Sequence, residues 1–96
     1  MLNSKQRAQL RSMANTMETI MQIGKNGLTE NLIITVSDAL EARELIKLNV
    51  LENSGFPAKE AASQLAEATH SEVVAAIGRK LILYRESKNK KKIELC

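Results

Sequence analysis

The chain has little of several residues that mark common functional classes. It contains one cysteine, Cys96, one histidine, His70, one proline, Pro57, and no tryptophan. A single cysteine makes no internal disulfide, and a lone cysteine with a lone histidine cannot complete a structural zinc site. Phe56 and Tyr84 are the only aromatic residues, too few for a platform on which bases stack. A nucleic-acid partner would therefore be read through its backbone and shape. No apolar run approaches the roughly 20 residues of a membrane span. The stretch Met1-Leu2-Asn3-Ser4-Lys5-Gln6-Arg7 is polar, with no signal-peptide core behind it. These absences lead to the expectation of a soluble, cytoplasmic protein with reduced thiols, no metal, no cofactor and no small-molecule substrate.

What is present suffices for one small domain. The chain has 96 residues, 44% of them hydrophobic and 26% charged, a composition that supports a modest core and argues against disorder throughout. Fourteen Lys and Arg against eleven Asp and Glu leave a net charge of +3, which permits a polyanionic partner without requiring one.

Periodicity orders the elements. Asn3 and Ser4 are N-cap candidates for a first helix, whose apolar stripe is Leu10, Met13, Ala14 and Met17. Arg7 and Arg11 lie one turn apart on the flank of that stripe. Thr19 to Ile23 reads as a strand stopped by Gly24, and Thr29 caps a second helix that ends near Arg43 or Glu44. Leu45 to Leu51 alternates as a strand, with Ile46, Leu48 and Val50 on one side and Lys47 and Asn49 on a wetter one. A turn at Asn53-Ser54-Gly55 leads to Pro57 at the first position of an alanine-rich helix over 58–68, packing through Ala58, Ala61, Ala62 and Leu65. Strands over 72–77 and 80–84 flank Gly78-Arg79, a two-residue connection with the type II′ signature. Residues 1–86 form the domain. Residues 87–96, with Lys88, Lys90, Lys91 and Lys92, read as a basic, mobile tail.

The order α-β-α-β-α-β-β implies an α+β fold. The first two strands run parallel through a helical crossover, and the last two form an antiparallel hairpin. The result is a mixed four-stranded sheet with helices on one face.

Catalytic constellations are missing. His70 has no partner marked to orient it, Cys96 is terminal, and Glu41, Glu44, Glu60 and Glu67 stand at ordinary helical surface spacings, as solubility charges do. Gly24-Lys25-Asn26-Gly27 lacks the spacing and the Gly-Lys-Ser/Thr end of a Walker loop. It does join a strand end to a helix start. Its glycines permit a sharp turn and a close backbone approach, the helix directs N–H groups at the same place, and Lys25 adds a cation. A GXXG loop of this kind clamps a nucleic-acid backbone in KH modules. The same residues would equally serve a strand-to-helix turn without a ligand.

Four stretches together resemble a family. They are Leu10-Arg11-Ser12-Met13-Ala14, Ile23-Gly24-Lys25-Asn26-Gly27-Leu28-Thr29, Ala39-Leu40-Glu41-Ala42-Arg43-Glu44-Leu45-Ile46-Lys47, and Ile77-Gly78-Arg79 with Leu83-Tyr84-Arg85. In order and spacing they resemble the CRM (chloroplast RNA splicing and ribosome maturation) domain in its stand-alone bacterial form, the YhbY type. The resemblance implies a fold similar to the C-terminal domain of translation initiation factor 3, with two helices on one sheet face and an extra N-terminal helix. It also implies an RNA-binding protein associated with precursors of the large ribosomal subunit; with no catalytic constellation, the expectation is a non-catalytic, monomeric binder of ribosomal RNA. Carried onto this chain, it makes Lys25 a phosphate contact beside Asn26, with Gly24 and Gly27 enabling backbone approach. Arg7, Arg11, Lys47, Lys80 and Arg85 are the accompanying basic candidates. The competing expectation is a module that docks on a ribosomal or translational protein.

Overall fold

The structure is a computed structural model that describes residues 2–52, 55, 57–88 and 93. Its elements run α1 (Ser4–Ala14), β1 (Met21–Ile23), α2 (Glu30–Arg43), β2 (Leu45–Val50), α3 (Ala58–Thr69), β3 (Glu72–Ile77) and β4 (Lys80–Tyr84). Of the turn expected at Asn53-Ser54-Gly55, only Gly55 is among the described residues. Phe56, Lys90, Lys91, Lys92 and Cys96 lie outside them.

Local chemistry accounts for the helix boundaries. Asn3 caps α1, its side chain accepting from the Gln6 N–H at 2.8 Å, while the Gln6 side chain accepts from the Asn3 N–H at 3.1 Å, a reciprocal capping box. Thr29 caps α2 by accepting from the Leu32 N–H at 3.1 Å. Pro57 stands at the N-cap of α3, one position before the helix proper. His70 ends α3 in the left-handed conformation, φ 56.

The sheet order is β1-β2-β4-β3. β1 and β2 are parallel, and β4 is antiparallel to both β2 and β3. β1 is shorter than its β-branched run suggests, although the Ile20 N–H still donates to the Lys47 carbonyl at 2.9 Å. Gly78 has φ 61 and Arg79 keeps a negative φ, the combination a type II′ turn requires.

Side-chain alternation splits the core in two. Ile23, Ile46, Leu48, Val50, Leu81 and Leu83 face α2 and α3, meeting Val36, Leu40, Ala58, Ala61, Ala62 and Leu65. The alanines let α3 approach the sheet closely. Each leucine buried there contributes about 1.5–3 kcal/mol relative to exposure. On the other face, Leu45, Val74, Ile82 and Tyr84 meet Leu2, Leu10, Ala14 and Ile93. So α2 and α3 share one face and α1 packs on the opposite one, a placement that an amphipathic stripe alone leaves open.

One expectation is corrected here. Glu44 is not a solubility charge. It is fully buried at the C-cap of α2 with φ 66. Its carboxylate oxygens accept from the backbone N–H groups of Ser87 at 2.7 Å and Ile93 at 2.8 Å. At the described positions of the tail, Ser87 and Ile93 are buried, the Ser87 hydroxyl donates to Glu41, and the Lys88 N–H donates to Glu41 at 3.2 Å.

Candidate nucleic-acid interface

One end of the sheet collects the residues of interest. β1 and β2 run parallel, so both end there, and the helices that follow them both begin there. The β3–β4 hairpin turn arrives at the same end, because Asn49 near the end of β2 pairs with Lys80 at the start of β4. Backbone hydrogen bonds fix the juxtaposition. The Leu51 N–H donates to the Ile23 carbonyl at 2.8 Å and the Val50 N–H to the Arg79 carbonyl at 2.6 Å. The Gly24–Gly27 loop, the end of β2 and the Gly78-Arg79 turn therefore lie side by side.

The loop is a closed turn. The Gly27 N–H donates to the Gly24 carbonyl at 2.9 Å, and Lys25 and Asn26 project from the two central positions, both exposed. The two glycines differ in what they do. Gly27 is buried with φ 68, a conformation that side chains beyond hydrogen resist. Gly24 has no positive φ, and a Cβ built there would come no closer than 3.6 Å, to Leu51 Cδ1, an ordinary contact. The fold needs a glycine at 27 and tolerates a side chain at 24. The turn feeds directly into α2, whose first N–H groups lack intrahelical acceptors.

Basic residues separate into two kinds. Lys25 and Lys80 at the sheet end, and Arg7 and Arg11 on α1, are exposed and have no ion-pair partner among the described residues. Arg79 is also exposed and pairs with Glu52 at 3.2 Å. Arg7 and Arg11 stand on the helix that covers the opposite sheet face from α2.

Lys47 and Arg85 point into the protein's own framework. The Lys47 ammonium donates to the carbonyls of Ala14 at 3.1 Å and Met17 at 3.4 Å, supplying a cation at the C-terminal end of α1. The Arg85 guanidinium donates to the Ser37 hydroxyl at 3.1 Å, the Ser37 carbonyl at 2.7 Å and the Thr69 carbonyl at 2.8 Å. It thus bolts the middle of α2 to the end of α3. The residue types marked both as candidates for phosphate contact, and only tertiary placement separates them from Lys25.

Sequence reasoning passed over Gln22 and Asn49. They pair with each other on adjacent strands and continue to Lys80 on β4. The signal was present in the alternation of β2, whose wetter side carries Asn49 beside Lys47. Among the described residues, no group of three or more His, Cys, Asp or Glu could hold a metal ion, and no helix is long and apolar enough to cross a membrane.

Comparison with known proteins identifies the family. The CRS1 / YhbY (CRM) domain model matches residues 2–85. The Bacillus subtilis Probable RNA-binding protein YqeI is 44% identical over 95 residues, covering 99% of each chain. A Haemophilus influenzae protein named RNA-binding protein is 31% identical over 90 residues, covering 94% of this chain and 91% of its own. The solution structure of a hypothetical protein from Staphylococcus aureus, put forward as RNA-binding, superposes with a TM-score of 0.80 at 47% identity over the full length of both chains. With that match over residues 2–85, the chain belongs to the CRS1/YhbY (CRM) domain family.

Proposed function

We propose that the protein binds RNA without chemistry, and that its target is ribosomal RNA in precursors of the large ribosomal subunit. The observation that carries the reading is Lys25, exposed on a glycine-flanked turn at the start of α2 and without an ion-pair partner among the described residues. A cation and helix N–H groups at one place suit a phosphate. Gly24 supports the reading as well. Its lack of a side chain is not demanded by φ or by neighbours, and a close approach by an RNA backbone would use the space. Lys80 and Arg79 stand at the same sheet end, and relatives named for RNA binding share the chain from end to end.

In this account Lys25, Asn26, Gly24 and Gly27 meet the backbone, Lys80 adds charge, and Arg7 and Arg11 form a second basic surface on α1. Lys47 and Arg85 serve by holding helices in place. Sedimentation of a cell lysate tests the function. The protein should travel with particles no heavier than the large subunit at low salt and leave them as salt rises, because each neutralised phosphate steepens the salt dependence. Retention on those particles after nuclease treatment would instead favour docking on a ribosomal protein.

A further inference from the structure

Helix α1 covers only half of its sheet face. Its contacts are Leu45, Val74, Ile82 and Tyr84, and it ends at Ala14 beside Lys47. The half nearer the Gly-Lys-Asn-Gly loop is left open. One cross-strand row crosses all four strands there, because Gln22 pairs with Asn49, Asn49 with Lys80, and Lys80 with Ile77. Paired residues on adjacent strands point to the same side, and three strand spacings make the row roughly 14 Å long. A cavity of about 400 Å³ opens over it, lined among others by Asn15, Lys47, Asn49, Ile77, Lys80 and Ile82, within the size range of small-ligand sites.

We infer that this strip binds unpaired nucleotides of an RNA whose backbone is held at the loop. The inference rests on the RNA-binding reading above and names a second subsite for it. Ile77 is 62% exposed, an unusual position for an isoleucine on a strand, and it offers an apolar surface to the face of a base. Asn49, Asn15 and Gln22 carry amides that both donate and accept, as the edges of unpaired bases require. Lys80 supplies positive charge at the rim, and no carboxylate lines the cavity. That composition complements a nucleotide strand, with apolar faces, polar edges and anionic links. The apolar surface is aliphatic, so the scarcity of aromatic residues does not exclude base contact; it limits how strong that contact is.

Two RNA hairpins with one stem test the inference, one blunt and one carrying five unpaired nucleotides at its 3′ end, titrated by fluorescence anisotropy. The wild-type protein should bind the extended hairpin about fivefold more tightly or better, as modest base contacts provide. Ile77→Ser, a neutral change at an exposed position, should remove that advantage and leave the blunt hairpin bound as before. Lys25→Glu should weaken both hairpins alike. In ¹⁵N spectra, the side-chain amides of Asn49 and Gln22 should move with the extended hairpin only. Equal affinity of the wild type for both hairpins overturns the strip while leaving the loop reading intact. Ile77→Ser retaining the advantage, or weakening both hairpins alike, overturns it too. Binding of neither hairpin overturns the strip and the RNA reading together.

Discussion

The Lys47 ammonium donates to the Ala14 carbonyl at 3.1 Å, across 33 positions of sequence, and so closes the C-terminal end of α1 from the middle of β2. A lysine placed this way acts on folding before it acts on any partner. Lys47→Met keeps the apolar stem and removes the donor. It should lower the unfolding free energy by about 1–2 kcal/mol, the range for a charged hydrogen bond at a helix terminus. Urea denaturation checks the value. The folded variant should lose less RNA affinity than Lys25→Glu does.

Arg85 should behave the same way more strongly. Its planar guanidinium reaches three acceptors on Ser37 and Thr69, which a single ammonium cannot span. Arg85→Lys should cost about 1–3 kcal/mol, read as a fall in the urea midpoint with an unchanged slope.

Glu44 joins the end of α2 to the start of the tail. Its two carboxylate oxygens accept from Ser87 and Ile93 backbone N–H groups. Glu44→Gln turns an NH₂ donor toward one of those donors, so the variant should lose about 1.5–3 kcal/mol. Amide hydrogen exchange should quicken at Ser87 and Ile93 before it quickens in β4. Unchanged protection at those two amides would contradict the anchoring role.

The two loop glycines should separate folding from binding. Gly27→Ala forces a Cβ into φ 68 and should destabilise by about 1–2 kcal/mol. Gly24→Ala meets only an ordinary contact with Leu51. It should leave the thermal midpoint nearly unchanged and weaken RNA binding, by crowding the backbone that approaches the turn. Full affinity in Gly24→Ala would show that no such approach occurs.

The order of elements was legible because each short element obeys its own period. The four alanine-face residues of α3 are buried as their spacing requires, and Gly78 turns the hairpin that its dipeptide announces. The face taken by α1 was not legible, since a stripe formed by Leu10 and Ala14 records burial but not against what. Glu44 was misread because its spacing is that of a surface residue. The available hint was a helix that stops at Arg43 without a glycine to end it. Lys47, Arg85 and Lys25 are equivalent as charges in sequence. Only the carbonyls of Ala14, Ser37 and Thr69, brought in by the fold, tell the first two apart from the third.

The central claim is that Lys25 meets an RNA phosphate at the sheet end. The most direct measurement is the affinity of wild type and Lys25→Glu for a ribosomal RNA fragment between 50 and 200 mM salt, about the range in which phosphate contacts are most sensitive. The account predicts that log K for the wild type falls linearly with log salt. It also predicts that Lys25→Glu binds more weakly at every salt, with a slope shallower by about 0.7–0.9, one phosphate's worth. Equal affinity and equal slope in a folded Lys25→Glu would contradict it.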